Sequence, residues 1–139
     1  MSYRVMQCQI APDNLIYDYC DSNARKAKLL YNAALFRIRQ IFTGWDKDSR
    51  TDNEKEVFAE VDLLQQTYPS VKVKKVISYG HLEKLMRVTH NPDFFAGLPM
   101  QTAQAVVKHA GTDFSNWLKS LKAYKQDPSK FLGKPQMPR

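Results

Sequence analysis

The sequence predicts a mainly α-helical bundle of about four helices with a short β-strand element at its N-terminus. Two observations lead to this prediction. Apolar residues recur at spacings of three and four in several stretches of the chain, and the segments between those stretches are polar or contain proline and glycine. With 139 residues, the chain has the size of one domain, which can bury a single hydrophobic core.

The N-terminal third begins with the strand element. Residues 2–10 predict a short strand because apolar residues alternate with polar ones over part of this stretch, and the turn at 11–14 ends it. The first helix is expected to begin at Asp21 or Ser22, since both residue types are good N-caps. It is expected to end near Gly44, where a residue without a Cβ can close a helix.

Two shorter helices are expected in the middle of the chain. The first covers about 54–67 after a polar loop at 46–53, and the second is capped by Ser78 and runs to about Thr89. Between them, residues 71–77 alternate imperfectly between apolar and polar types. A strand and an extended connector therefore both remain open for this stretch.

The longest helix is expected over about 99–125, because Pro99 suits a first helical position and a break follows at 127–128. Gly111 lies in the middle of this helix, where glycine costs about 1 kcal/mol relative to alanine. Its presence indicates close packing or the close approach of a ligand. The two phenylalanines of the preceding loop, 90–97, are expected to enter the core.

The charge of the chain points to an anionic partner. Lys and Arg together number 21 against 14 Asp and Glu, which gives a formal net charge of +7. Such a balance attracts nucleic acid or an anionic membrane surface. The basic residues are concentrated in the first helix and the last third, whereas residues 46–60 are locally acidic and are interpreted as a solvated loop.

Two helix faces carry the candidate contacts to a phosphate backbone. Lysines alternate with small hydroxyl residues at steps of three and four, so that they share one face of the last helix, and the first helix carries a similar basic stripe. Lysines supply charge and hydroxyls supply short hydrogen bonds to phosphates. A solvated helix face is the alternative interpretation of both stripes. The candidates are Lys108, Thr112, Ser115, Lys119 and Lys122 on the last helix, and Arg25, Lys28, Asn32 and Arg39 on the first.

Signatures of enzymes, cofactor sites and membrane spans are missing from the sequence. It contains no phosphate-binding glycine loop, nucleophile elbow or zincin motif, and its histidines lack metal-ligand spacing. Cys8 and Cys20 do not form a Cys-x-x-Cys pair, which favours a reducing compartment. No stretch reaches the roughly 18 uncharged apolar residues of a membrane span. We therefore expect a cytoplasmic chain that is not an enzyme, holds no cofactor or metal, and has no membrane partner.

Several short motifs follow one another in a characteristic order. A strand that ends in a proline turn precedes Leu-Tyr-Asn-Ala-Ala-Leu at 30–35, Ser-Tyr-Gly at 78–80 and Leu-Pro-Met-Gln-Thr-Ala-Gln at 98–104. Phe-Ser-Asn-Trp-Leu at 114–118 and a basic, proline-containing end at 133–139 come last. This order resembles the N-terminal part of TnpB-type proteins, which are transposon-encoded, RNA-guided DNA nucleases related to the type V CRISPR effectors.

The resemblance implies how the chain is organised and what it binds. Residues 1–20 would be the first wedge-domain strand and turn, 21–126 the helical recognition domain, and 127–139 a basic linker back to the wedge domain. The RuvC-like nuclease half, with its Mg²⁺ site and a zinc element, would follow Arg139, so this segment would not cut DNA by itself. The implied partners are guide RNA, target DNA and the rest of the parent nuclease, in a prokaryotic cytoplasm and on the nucleoid when DNA is bound.

The resemblance also implies two residues that read the target-adjacent motif. Tyr79 and Gln104 match positions at which the family contacts that motif, and a glutamine amide can bond an adenine edge bidentately. Glu83 departs from the family, which has small or polar residues one turn after the tyrosine. Two other functions remain open: a stand-alone basic helical DNA-binding regulator, and a helical protein–protein interaction module whose basic face is only solvated.

Overall fold

The computed structural model describes Gln7 and residues 9–139, and within this range it contains four α-helices and no β-strand. The mainly helical prediction is confirmed for this part of the chain. The strand predicted at 2–10 lies mostly outside the described residues, and Gln9 and Ile10 have no regular secondary structure. The elements are α1 (Tyr17–Gly44), α2 (Asp52–Thr67), α3 (Tyr79–Val88), α4 (Met100–Gln126) and a short 3₁₀ turn (Pro128–Lys130).

The core lies where α1 and α4 pack along each other, with α2 and α3 completing the bundle. Apolar residues at spacings of three and four place one face of each helix inward, and burial of each large aliphatic or aromatic side chain contributes about 1.5–3 kcal/mol. No helix among the described residues combines the length and the apolar character that crossing a membrane requires. The fully buried side chains include Leu30, Ala34 and Ile38 of α1, Val57 and Leu64 of α2, Leu82 and Leu85 of α3, and Ala103, Val107 and Phe114 of α4.

α1 begins earlier than its sequence pattern predicts. Its N-cap is Ile16, whose side chain makes no capping bond. Asn14 supplies the first bonds instead: its Oδ1 accepts from the Ile16 backbone N–H at 3.0 Å, and its carbonyl oxygen accepts from that of Tyr17 at 3.1 Å. The prediction of an N-cap at Asp21 or Ser22 is therefore wrong, because an asparagine turn about two helical turns upstream starts the helix.

α1 ends at Gly44 as predicted, but for a different reason. Gly44 is not in the left-handed conformation that often closes a helix; among the described glycines that conformation occurs at Gly97. A Cβ on Gly44 would lie 2.8 Å from Glu54 Oε2 and 2.8 Å from Phe58 Cε2. Glycine suits this position because the side chains of Glu54 and Phe58 on α2 fill the space that a Cβ would need, so a larger residue would force them to move.

The acidic 46–60 segment is not a solvated loop throughout, because Glu54 is only 1% exposed. Thr51 and Glu54 form a capping box, in which Thr51 Oγ1 accepts from the Glu54 backbone N–H and Glu54 Oε1 accepts from the Thr51 backbone N–H at 3.0 Å. Lys47 Nζ donates to Glu54 Oε1 at 3.1 Å and Thr43 Oγ1 donates to Glu54 Oε2 at 3.0 Å. The Thr-x-x-Glu spacing is the sequence signal for this cap, and it starts α2 at Asp52 instead of Glu54.

The Glu54 cluster predicts a loss of stability in acid. The pKa of Glu54 is lowered to about 2, and the hydrogen bond from the Thr51 backbone N–H is the largest cause. Burial raises this pKa, but the hydrogen bonds from Lys47 and Thr43 lower it further. An unfolded glutamate has a pKa of about 4.3, so the unfolded chain takes up this proton first as the pH falls. The stability that ionised Glu54 contributes is therefore complete above the pKa of an unfolded glutamate. It is lost as the pH falls towards the pKa of Glu54 in the folded chain. Urea unfolding at a series of pH values measures it.

Glu54→Gln is the matched variant for this measurement, because glutamine also closes a capping box but does not titrate. Its stability curve should be flatter than that of the wild type between about pH 5 and pH 2. An equally steep decline in both proteins would show that other carboxylates govern the acid response.

Residues 71–77 form a connector with a bend at 75–76 and no strand, which decides against the strand alternative within the described residues. Alternate residues turn towards the bundle without a partner strand: Val71, Val73 and Ile77 are buried, while Lys72 and Lys74 are exposed.

The loop before α4 places only one of its two phenylalanines in the core. Phe94 is buried, whereas Phe95 is 48% exposed, so the prediction is wrong for Phe95. Asn91 Oδ1 accepts from the backbone N–H groups of Asp93 and Phe94 at 3.0 and 3.1 Å. This turn points Phe94 inward and leaves the next side chain at the surface.

The C-terminal residues 127–139 return along the bundle. Trp117 Nε1 donates to the carbonyl oxygen of Pro135 at 3.2 Å, and Met137 packs against the core. The rings of Tyr124 and Phe131 meet edge to face with their centroids 5.7 Å apart. The segment expected as a linker is therefore docked on the helices over part of its length.

Candidate nucleic-acid interface

A groove of about 420 Å³ lies between the beginning of α3 and the middle of α4. Residues at steps of three and four on α4 form one wall, and the connector with the first residue of α3 forms the other. The structure thus brings four of the five residues of the predicted α4 stripe together with Tyr79. The lining residues are Lys108, Gly111, Thr112, Ser115, Asn116 and Lys119 of α4, with Val76, Ile77, Ser78 and Tyr79 opposite.

The wall opposite α4 is fixed by the start of α3. Ser78 caps α3 as predicted, its Oγ accepting from the His81 backbone N–H at 3.4 Å. Ile77 is buried in the core and anchors the connector. Tyr79, the first residue of the helix, is half-buried and packs against the core, so its position relative to α4 is set by the fold.

The lysines of the α4 stripe are exposed. Among the described residues, no ion pair within 4.0 Å involves Lys108, Lys119 or Lys122. Lys108 and Lys119 stand about 16 Å apart along the helix axis, from the helical rise of about 1.5 Å per residue. Lys122 lies one turn beyond the groove and does not line it. The groove therefore has positive charge towards both ends.

The two hydroxyl residues of the stripe differ in their availability. Thr112 Oγ1 donates to the carbonyl oxygen of Lys108 at 3.0 Å, so its proton is used within the helix and only its lone pairs face outward. Donation to a phosphate would require this hydroxyl to rotate. Ser115 is exposed and lines the groove, which makes it the better candidate donor.

Gly111 opens into the groove. A Cβ at this position would meet no atom within 4 Å in the described part of the chain. Of the two explanations that the sequence left open, close packing is therefore wrong for the described structure. The approach of a ligand stays a prediction.

The predicted stripe on α1 does not enter this groove. Arg25 forms an ion pair with Asp21 at 3.0 Å. Lys28 is exposed and lines neither this groove nor a second one beside α1. Asn32 and Arg39 line a separate groove of about 390 Å³ together with Leu35, Phe36 and Arg139. The Nε of Arg39 is buried and has no hydrogen-bond partner among the described residues.

Tyr79 and Gln104, the predicted base readers, meet at Glu83. Gln104 Nε2 donates to Glu83 Oε1 at 3.0 Å, and Arg87 Nη2 donates to the same oxygen at 2.7 Å. Burial first, and then Glu83, raise the pKa of Tyr79. Burial also raises the pKa of Glu83, but hydrogen bonds from Arg87, Gln104 and Tyr79 outweigh it and hold that pKa below its usual range.

One N–H of the Gln104 amide is therefore used in a hydrogen bond to Glu83 within the protein. Its second N–H and its oxygen have no hydrogen-bond partner among the described residues, and a bidentate bond to adenine uses one such donor and one such acceptor. Sequence reasoning missed Arg87 and Asn116. The available signals were the spacing of four between Glu83 and Arg87 and between Thr112 and Asn116.

Comparison of the chain with family models, with curated proteins and with solved structures returned no match. The order of motifs that resembles TnpB-type proteins therefore stays a prediction. Within the described residues, no three His, Cys, Asp or Glu side chains come together as a group that could hold a metal ion.

Proposed function

We propose that the chain is a nucleic-acid-binding recognition segment of a TnpB-type RNA-guided DNA nuclease, and that α4 holds the phosphate backbone of the guide RNA–target DNA heteroduplex. One observation carries the proposal: lysines without an ion-pair partner among the described residues share a single groove with small polar side chains. Cations and short hydrogen-bond donors on one face suit a sugar–phosphate backbone.

Binding through the backbone agrees with the role that the motif order implies. In RNA-guided nucleases the heteroduplex lies in a basic channel and is held by its shape and its phosphates, while sequence is read by base pairing. The net charge of +7 favours such a partner. In this proposal cleavage and Mg²⁺ belong to the other half of the parent nuclease.

Reading of the target-adjacent motif is the finer part of the proposal. Tyr79 and Gln104 lie at the same cluster around Glu83, and Tyr79 also lines the groove. A duplex held along α4 would place its flanking bases near these side chains. Gln104 then offers the free donor and acceptor of its amide to a base edge, with Glu83 holding the amide in orientation.

A single binding assay tests both parts of this proposal. The substrate is an RNA–DNA heteroduplex joined to duplex DNA with randomised flanking bases, and the affinity is measured between about 50 and 200 mM salt. If three phosphates are neutralised, the affinity should fall by roughly 40-fold over this range, because counterion release scales with the number of contacts. Gln104→Ala should relax the preference at one flanking position by about 1–3 kcal/mol.

Gln101→Ala is the control, since Gln101 is an exposed glutamine of the same helix and should leave the sequence profile unchanged. Affinity that does not depend on salt would contradict backbone binding and favour the protein–protein interaction module. Equal or tighter binding to plain duplex DNA would favour the stand-alone regulator. A uniform loss of affinity in Gln104→Ala with an unchanged profile would exclude base reading by Gln104.

A further inference from the structure

Gly111 weakens α4, and no packing contact in the described structure requires it. Glycine in a helix interior is less favourable than alanine because it loses more conformational freedom on folding. Gly111 is helical and has space for a methyl group. Gly44 shows the contrasting case, because there a neighbouring helix fills the position of the missing side chain.

The surroundings of Gly111 define what the open space would accept. Lys108 lies three residues before it and Ser115 four residues after it, so the three share one row along α4. None of the ten residues that line the groove is acidic. Because lysines stand towards both ends and polar side chains lie between them along α4, the groove favours an anion over a cation.

The size of the groove favours a chain of phosphates over a single ion. Its volume of about 420 Å³ falls within the range of roughly 300–1,000 Å³ that small organic ligands occupy. Nucleic acid carries one phosphate per about 3.4 Å of axis on each strand. A strand that runs along the groove would therefore place more than one phosphate between Lys108 and Lys119.

We propose that the groove at Gly111 is a phosphodiester-binding site, in which the missing side chain lets one backbone phosphate lie directly against α4. Lys108 and Lys119 supply the charge, and Ser115 and Asn116 supply hydrogen-bond donors to that phosphate. The inference rests on the proposed function and names the position at which the nucleic acid makes its closest approach. It assigns to Gly111 a role in binding instead of a role in packing.

The test separates stability from binding, because one substitution should move the two in opposite directions. Gly111→Ala should raise the Tm of the chain, since the helix gains propensity. The same variant should weaken binding to the RNA–DNA heteroduplex by roughly tenfold, as expected for the loss of one hydrogen bond to a charged group. Asn116→Ala, which removes a donor without adding bulk, should also weaken binding.

Gly80→Ala is the matched control. A Cβ on Gly80 also meets nothing within 4 Å in the described structure, and Gly80 does not line the groove. This variant should raise the Tm and leave the affinity unchanged. Inorganic phosphate should compete with the heteroduplex more effectively than chloride at equal ionic strength.

Three outcomes would overturn the inference: unchanged affinity in Gly111→Ala, equal losses in Gly111→Ala and Gly80→Ala, or competition by phosphate that does not exceed that of chloride. The proposed function would survive the first two if reversal of the α4 lysines still removed binding. Failure of the wild-type chain to bind RNA, DNA or heteroduplex would remove the proposed function and this inference together.

Discussion

Reversal of the three lysines of the α4 stripe, Lys108→Glu, Lys119→Glu and Lys122→Glu, is expected to lower affinity for RNA and for RNA–DNA heteroduplex by at least about a hundredfold. Each lysine that contacts a phosphate releases a counterion, and each glutamate repels the phosphate instead. The slope of log affinity against log salt should become shallower by about two to three, since three phosphate contacts are lost. Fluorescence anisotropy with labelled oligonucleotides measures both quantities.

The fold should survive this triple change. All three lysines are exposed, and exposed substitutions away from special contacts usually change the free energy of unfolding by no more than about 0.5 kcal/mol. Circular dichroism and the Tm of the variant check this directly. A loss of binding that accompanied unfolding would not count as evidence for the interface.

The matched control carries the same change in net charge on other surfaces. Lys55→Glu, Lys72→Glu and Lys84→Glu alter exposed lysines of α2, the connector and α3, and none of them lines the groove. If the control lost as much affinity as the α4 variant, net charge would explain binding and α4 would hold no special position.

Phe114→Ala is expected to lower the free energy of unfolding by about 3–5 kcal/mol. Phe114 is 1% exposed and forms a cluster of three rings, with centroid distances of 5.2 Å to Phe42 and 5.3 Å to Trp117. Truncation would leave a cavity at the α1–α4 contact. Because domains are typically stable by only about 5–15 kcal/mol, urea unfolding should show a clear shift of the midpoint.

Phe95→Ala provides the comparison for that result. Phe95 is 48% exposed and touches Phe94 edge to face at 5.1 Å, so its truncation should cost about 1 kcal/mol or less. Similar losses in the two variants would contradict the position of the core along α1 and α4.

The parts of the fold that the sequence predicts well are those that depend on one helix at a time. Val57, Val61 and Leu64 face inward as their spacing indicates, and Ser78 caps α3 because its side chain bonds a backbone group three residues away. The start of α1 was harder to predict, because an upstream turn at Asn14 overrides a good N-cap residue further along. Periodicity fixes the face of a helix but not its first residue.

The features that the sequence did not predict, at the junction of α1 and α2 and at the candidate site, depend on contacts between elements that are distant along the chain. The need for Gly44 becomes visible only when α2 is placed across it. The α4 stripe was predictable from helical period, but its groove also requires the position of α3. The hydrogen bond between Gln104 and Glu83 joins two helices, so the sequence pattern of either helix alone does not predict it.

The docking of the C-terminal residues on α4 can be followed by tryptophan fluorescence. Trp117 bonds Pro135 at 3.2 Å, and it lies roughly opposite the groove around the axis of α4. The second tryptophan, Trp45, packs near Phe58 with the ring centroids 6.3 Å apart. With Trp45 replaced by phenylalanine, the emission of the chain would come from Trp117 alone, and its wavelength would report whether the tail stays attached while the opposite face of the helix is occupied.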